Sequence, residues 1–159
     1  MQNLDSIFKA ISPNKFYNQT FQDLFFQEAS SFLQTSFQCQ VLLAYNISLG
    51  NTLKQISSHE NSHFMLLGKV ITLLGGKPEL KNTKKQYFSG KNIAYATNAF
   101  DILLEDITLK ENMIISYKTA IKKTGSLNLK KLLQQVLVQE EYHLEILKNV
   151  IKNFKTQSK

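Results

Sequence analysis

Glutamate and histidine occur together at two places where an amphipathic helix should be apolar. In residues 57–76, the spacing of the apolar side chains places Glu60 and His63 in the middle of the stripe that should be buried. The same Glu-x-x-His pattern recurs at Glu140 and His143. Residues three apart lie on one face of a helix, so both side chains of a pair point to the same region of the core. Carboxylate oxygens and imidazole nitrogens together predict a buried metal site.

Two more glutamates fit the same scheme. Glu28 lies on the apolar stripe of the first helical segment, and Glu111 is placed on that of the third. Glu28 precedes Glu60 by 32 residues, and Glu111 precedes Glu140 by 29. If each interval folds back near its midpoint, the glutamates of each pair lie at similar heights. The chain therefore repeats one arrangement, a glutamate followed about 30 residues later by Glu-x-x-His.

The apolar stripe of the third helix is less regular than those of the other three. Its assigned stripe is Phe100, Leu104, Ile107, Glu111, Ile114 and Ile121. Lys118 interrupts that stripe, and Glu105 is the alternative carboxylate, about two turns earlier and off the stripe.

Charge balance predicts two metal ions. Four buried carboxylates without counterions would cost many kcal/mol, and two divalent ions would neutralise them. The mixed oxygen and nitrogen ligands suit iron or manganese, and the absence of thiolate ligands argues against a structural zinc site. A single Glu-x-x-His occurs readily by chance in a helical sequence. Two of them, each with an upstream glutamate at a matched distance, favour the metal site.

The elements that must position these residues are four helices. Turn residues divide the chain into helical patterns of about 15–46, 98–124 and 127–155 and one that runs from the predicted turn "NISLGN" (residues 46–51) to Gly75-Gly76, after a short N-terminal segment of residues 1–14. Residues 77–97 lack sustained periodicity and form a long crossover. The predicted fold is all-α, a single domain over residues 1–159. It is a four-helix up-down-down-up bundle of two antiparallel hairpins, with the crossover between helices two and three.

Composition excludes several classes of function. No stretch of about 18 apolar residues occurs, so we expect no membrane-spanning helix, and the N-terminus does not resemble a signal peptide. All 19 basic residues are lysines, spread along the helices, and the net charge is +7. Without arginine, this charge does not predict nucleic-acid binding. The lone Cys39 excludes an intrachain disulfide and fits a reducing, cytoplasmic location.

The pattern formed by Glu28, Glu60-x-x-His63, Glu111 and Glu140-x-x-His143 resembles the ferritin-like di-metal carboxylate superfamily, which includes rubrerythrins, bacterioferritins and manganese catalases. The resemblance covers residues 21–150. It implies that Glu60 and Glu140 bridge the metals. It also makes Glu28 and Glu111 terminal ligands, with one imidazole on each metal. One cysteine cannot form the four-cysteine iron site of a full rubrerythrin, and only "NFKTQSK" follows helix four, so we do not expect a large storage shell.

The resemblance implies a di-iron or di-manganese oxidoreductase acting on hydrogen peroxide or dioxygen, as a peroxidase, a catalase-like enzyme or a ferroxidase. A peroxidase would need an external electron donor, and we expect a homodimer. One alternative is a metal-binding or iron-storage protein without turnover. Another is a scaffold whose metals only stabilise the fold.

Four further residues have secondary predicted roles. We expect His59 to face solvent and Tyr117 to pack in the core, with a hydroxyl close to the metals as the alternative for Tyr117. Ser31 and Thr35 lie one and two turns beyond Glu28 and are candidates to line a pocket at the metals.

Overall fold

Four helices account for most of residues 15–157, the part of the chain that the computed structural model describes. They are α1 (Lys15–Leu43), α2 (Ile47–Leu73), α3 (Ala99–Lys123) and α4 (Leu127–Gln157). A short 3-10 turn, Gly90–Asn92, lies in the crossover, and the described residues contain no β-strand. The predicted all-α four-helix bundle is confirmed. The predicted N-terminal segment 1–14 lies outside the described residues.

Side-chain caps and a glycine set the ends of α2 and the start of α3, and α2 begins at Ile47, within the segment predicted as a turn. The side chain of Asn46 accepts a hydrogen bond from the backbone N–H of Leu49, and Asn98 accepts one from Asp101. Both are standard N-caps, which satisfy amide groups that lack a partner within the helix. After α2, Gly75 adopts a φ of 76°, the left-handed conformation that ends many helices. These signals fix where α2 begins and ends and where α3 begins.

The α1–α2 hairpin is tight, and the crossover is attached to α1. A Cβ atom on Gly50 would lie 2.9 Å from the side chain of Leu43, so a larger residue does not fit without a shift. Gln22 donates to the backbone carbonyl of Lys81 at 3.1 Å, and Gln34 accepts from the backbone N–H of Ala94 at 2.9 Å. These contacts hold the crossover along the length of α1.

The core consists of two apolar clusters with a polar layer between them. One cluster contains Phe21, Leu24, Phe25, Leu67, Val70, Ile71, Leu74, Met113, Tyr117, Ala120, Leu129, Leu132, Leu133 and Val136. The other contains Cys39, Leu42, Leu49, Leu53, Ile56, Ala99, Ile102, Leu103, Leu147 and Ile151. Charged residues fill the layer between the clusters, where water is largely excluded. Within the described part of the chain, no helix has the length and apolar character needed to cross a membrane.

Candidate metal centre

Each helix contributes at least one charged side chain to the polar layer, and all of them are at most 3% exposed. The six residues are Glu28 from α1, Glu60 and His63 from α2, Lys110 from α3, and Glu140 and His143 from α4. We call this set the buried cluster. Five of its members are predicted ligands, and the structure brings these five together. The sixth, Lys110, was not predicted.

Glu111, the sixth predicted ligand, lies outside the cluster, and its assignment to the buried stripe of α3 is wrong. Its side chain is 49% exposed and its carboxylate lies 2.7 Å from the ammonium of Lys148. One residue along a helix corresponds to a rotation of about 100°, so Lys110 points inward where Glu111 points to the surface. The alternative ligand Glu105 is half-buried and also lies outside the cluster, with its carboxylate next to the side-chain amide of Gln38.

The buried stripe of α3 differs from the predicted one. It consists of Leu103, Asp106, Lys110, Met113, Tyr117 and Ala120. Both stripes have steps of three and four and both contain a lysine, so spacing alone does not distinguish them. Phe100 and Leu104 contribute to the apolar character of the predicted stripe, yet their side chains are 39% and 42% exposed. A lysine in the core is also rare, because its charge must be fully paired there.

The first half of the cluster is formed by Glu28, His63 and Glu140. The Nδ1 atom of His63 lies 2.9 Å from Oε1 of Glu140 and 3.6 Å from Oε2 of Glu28. Neither approach has hydrogen-bond geometry, so all three atoms lack a hydrogen-bond partner. The other ring nitrogen of His63, Nε2, lies 2.5 Å from the amide oxygen of Gln139. Because an amide oxygen only accepts, Nε2 carries the proton, and the lone pair of a neutral imidazole is on Nδ1.

The second half is formed by Glu60 and His143. The Nδ1 atom of His143 lies 3.0 Å from Oε1 of Glu60 and 4.0 Å from Oε1 of Glu140, so Glu140 is near both imidazoles. Nδ1 of His143 and Oε1 of Glu60 also lack hydrogen-bond partners. His59, which faces solvent as expected, contacts Nε2 of His143 through its own Nδ1 at 3.0 Å. That contact was not predicted, because His59 lies about 100° away from Glu60 on the helix.

Lys110 neutralises the opposite side of the two glutamates. Its ammonium lies 2.7 Å from Oε2 of Glu140 and 3.0 Å from the hydroxyl of Ser31, and it also contacts Oε2 of Glu60. Ser31 donates to the same Oε2 of Glu60 at 2.6 Å. Both Oε2 atoms are therefore occupied by cationic or hydroxyl donors, while both Oε1 atoms face the imidazoles. Ser31 thus lies at the cluster, whereas the hydroxyl of Thr35 donates to the backbone carbonyl of Ser31 at 2.8 Å; that the two residues line a pocket at the metals stays a prediction.

Tyr117 fixes the carboxylate of Glu28. Its hydroxyl donates a hydrogen bond to Oε1 of Glu28, and its ring packs in the first apolar cluster. The expected packing role is therefore present, and the hydroxyl also contacts a predicted ligand, as in the alternative considered for Tyr117. Burial, with the nearby charge of Glu28, raises the pKa of Tyr117 well above its ordinary value, so the hydroxyl stays a donor.

The pKa values of the cluster reflect burial of several charges without enough counterions. Burial and the charges of Glu140 and Glu60 raise the pKa of Glu28 to about 8. Burial alone would lower the pKa of His63, but its contacts with Glu140 and Glu28 outweigh burial and raise it to about 11. Burial likewise opposes the charge of Lys110, and the carboxylates raise its pKa despite this. In the metal-free protein, protons on Glu28 and His63 reduce the charge imbalance, and a bound cation would displace them.

The sequence matches a known protein family over most of its length. The protein-family model described as a ferritin-like domain matches residues 30–156, which is most of the chain. The chain belongs to the ferritin-like family. The match includes both Glu-x-x-His pairs and begins just after Glu28. A search of curated protein sequences finds no match.

A ferritin-like fold is also found among solved structures. Bacterioferritin from Rhodobacter capsulatus, described with a metal-free dinuclear site and a haem iron, superposes with a TM-score of 0.81. The two proteins share 14% sequence identity, and the alignment covers 92% of this chain and 89% of that one. At this identity the likeness concerns the fold alone.

The residues of this ferritin-like chain fit a metal ion on one side of the cluster. Di-metal members of the fold use a glutamate from each of two helices and a Glu-x-x-His pair from each of the other two. Here α1, α2 and α4 follow that pattern, and α3 carries Lys110 instead. The potential ligand atoms of Glu28, Glu60, His63 and Glu140 all lie within 4.8 Å of one another, and these residues could hold a metal ion. An imidazole lone pair facing carboxylate oxygens is repulsive unless a proton or a metal ion lies between them.

Proposed function

We propose that this protein binds iron or manganese in the buried cluster and acts as an oxidoreductase on hydrogen peroxide or dioxygen. One observation supports the metal site above the others. The five buried side-chain atoms that lack a hydrogen-bond partner in the described part of the chain all belong to its glutamates and histidines. Buried polar atoms are rarely left without a partner, and a cation bound among the glutamates and His63 would give several of them one.

The chemistry of the ligands favours iron or manganese, which bind mixed carboxylate and imidazole sets. When bound, such an ion would supply one-electron redox chemistry and a Lewis acid. The protein would hold it through Glu28, Glu60, His63 and Glu140. Tyr117 and Gln139 would keep Glu28 and His63 in place, because each bonds the atom that faces away from the site. The two flanking apolar clusters would keep bulk water out.

The second candidate is metal binding or iron storage without turnover. The similarity to a bacterioferritin fits this alternative as well as it fits an enzyme. For the oxidoreductase, we further propose a cytoplasmic homodimer that accepts electrons from an external donor. Light scattering separates a dimer from the cage-like assembly that storage predicts.

Activity is tested by loading the metal-free protein anaerobically with Fe(II) or Mn(II) and then adding hydrogen peroxide or dioxygen. We expect metal oxidation and peroxide consumption to exceed the rates of the free ions. The His63→Ala variant should bind the metal at least about 10-fold more weakly and lose this difference. The Glu111→Gln variant, altered at the surface, should behave as the wild type. Rates equal to those of the free ions with metal bound would reject the enzyme in favour of storage.

A further inference from the structure

We propose that Lys110 replaces the second metal ion of a ferritin-like centre, so that the cluster binds a single divalent cation on the side of Glu28 and His63. This inference rests on the metal binding proposed above and concerns the number and position of the ions. It differs from the two-metal centre that the sequence predicted.

Lys110 occupies the carboxylate oxygens that a second metal ion would need. A second metal would need the free oxygens of Glu60 and Glu140, the two glutamates that reach both halves of the cluster. Their Oε2 atoms already contact the ammonium of Lys110, at 2.7 Å in the case of Glu140. Ser31 completes the contact by lying 3.0 Å from the same ammonium. This cation is fully buried and held by three groups, so it is part of the core structure.

Helix α3 also supplies no carboxylate ligand for a second metal ion. Glu111 is at the surface with Lys148, and Glu105 contacts Gln38. Asp106 is buried but lies one turn before Lys110, where it accepts a hydrogen bond from the side chain of Gln34 at 2.8 Å. None of the three acidic residues of α3 nearest to Lys110 therefore contacts the cluster in the structure.

The distribution of unpartnered atoms indicates which side binds the ion. On the first side, Oε2 of Glu28, Nδ1 of His63 and Oε1 of Glu140 all lack partners. On the second side, only Oε1 of Glu60 and Nδ1 of His143 do. The first side offers three ligand atoms from three helices, and the second offers two. A single ion is therefore best satisfied next to Glu28 and His63.

Charge balance in the buried cluster also favours a single divalent ion. The three glutamates carry three negative charges, and Lys110 with one divalent ion carries three positive charges. Two divalent ions in addition to Lys110 would leave two excess positive charges in a buried layer, which is costly. Lys110 thus supplies part of the positive charge that a second metal ion would otherwise provide.

The test measures the number of bound ions in three proteins. Wild type, Lys110→Glu and the surface control Lys148→Glu are loaded anaerobically with Mn(II), freed of excess metal and analysed for metal per chain. We expect one ion per chain in the wild type and the control. We expect two in Lys110→Glu, because that change removes the ammonium and supplies the carboxylate that α3 lacks. Electron paramagnetic resonance of the wild type should show an isolated Mn(II) ion, without the spin coupling of a pair.

The outcomes separate this inference from the proposed function. Two ions or a coupled pair in the wild type would overturn the single-ion site while leaving metal binding intact. No bound ion in the wild type would overturn both. A folded Lys110→Glu variant that still binds one ion would show that Lys110 does not set the number of ions. If circular dichroism shows that this variant does not fold, the spectrum of the wild type decides the question.

Discussion

At the scale of single residues, two neighbours on α3 have opposite roles. Lys110 is fully buried among Glu60, Glu140 and Ser31, whereas Glu111 pairs with a lysine at the surface. An exposed ion pair of the latter kind contributes about 0–1 kcal/mol to stability. Removing one member of a buried charge network costs about 3–5 kcal/mol, because the remaining charges lose their partner. The identity of residue 110 therefore matters far more to the cluster than that of residue 111.

Tyr117 is the residue whose effect on metal binding can be isolated most cleanly. The Tyr117→Phe change keeps the buried ring but removes the hydroxyl that donates to Glu28. We expect Mn(II) affinity, measured by isothermal titration calorimetry, to fall about 10- to 100-fold, as when an outer partner of a ligand is lost. The free energy of unfolding of the metal-free protein should fall by about 1–3 kcal/mol, because an oxygen of Glu28 loses its donor.

The matched control is Tyr142→Phe, which removes a hydroxyl from a side chain that is 59% exposed. It should leave both affinity and stability unchanged. If Tyr117→Phe changes stability but not affinity, Tyr117 has only a packing role and does not position Glu28.

At the scale of elements, the sequence predicted three of the four helix faces. The stripes assigned to α1, α2 and α4 are largely buried, because each had one clear apolar stripe with Glu or Glu-x-x-His within it. On α3, apolar residues lie on two faces, and the face that is buried contains a lysine. Periodicity cannot choose between two such faces, because the choice depends on carboxylates brought in by α1, α2 and α4. For the same reason, the sequence could not identify Glu28 as the partner of the Tyr117 hydroxyl, because the two residues are 89 positions apart.

The end of α2 depends on the left-handed backbone conformation of Gly75. Gly75 has a φ of 76°, and an L-residue with a side chain pays about 1–2 kcal/mol in that conformation. Gly75→Ala should therefore lower the free energy of unfolding by about that amount in urea denaturation. Gly76→Ala is the control, because Gly76 does not have a positive φ, and it should change stability by less than about 0.5 kcal/mol. Equal losses in the two variants would contradict this account of the helix end.

At the scale of the whole molecule, the bundle places one charged layer between two apolar clusters. Each of the four helices contributes to the layer, so the cluster forms only when both hairpins are packed together. This architecture is shared with a bacterioferritin at 14% identity, which shows that the fold persists while most side chains differ. Within this frame, α3 contributes the positive charge of Lys110 to the layer and no ligand atom.

The most direct test of the central claim is anomalous X-ray diffraction from crystals of the wild-type protein loaded with Mn(II). The account predicts one buried anomalous peak per chain, next to Oε2 of Glu28, Nδ1 of His63 and Oε1 of Glu140. Lys110 should keep its contacts with the two glutamates in the same map. Absence of any peak in the buried cluster, with manganese found only at surface sites, would contradict the claim that these residues form a metal centre.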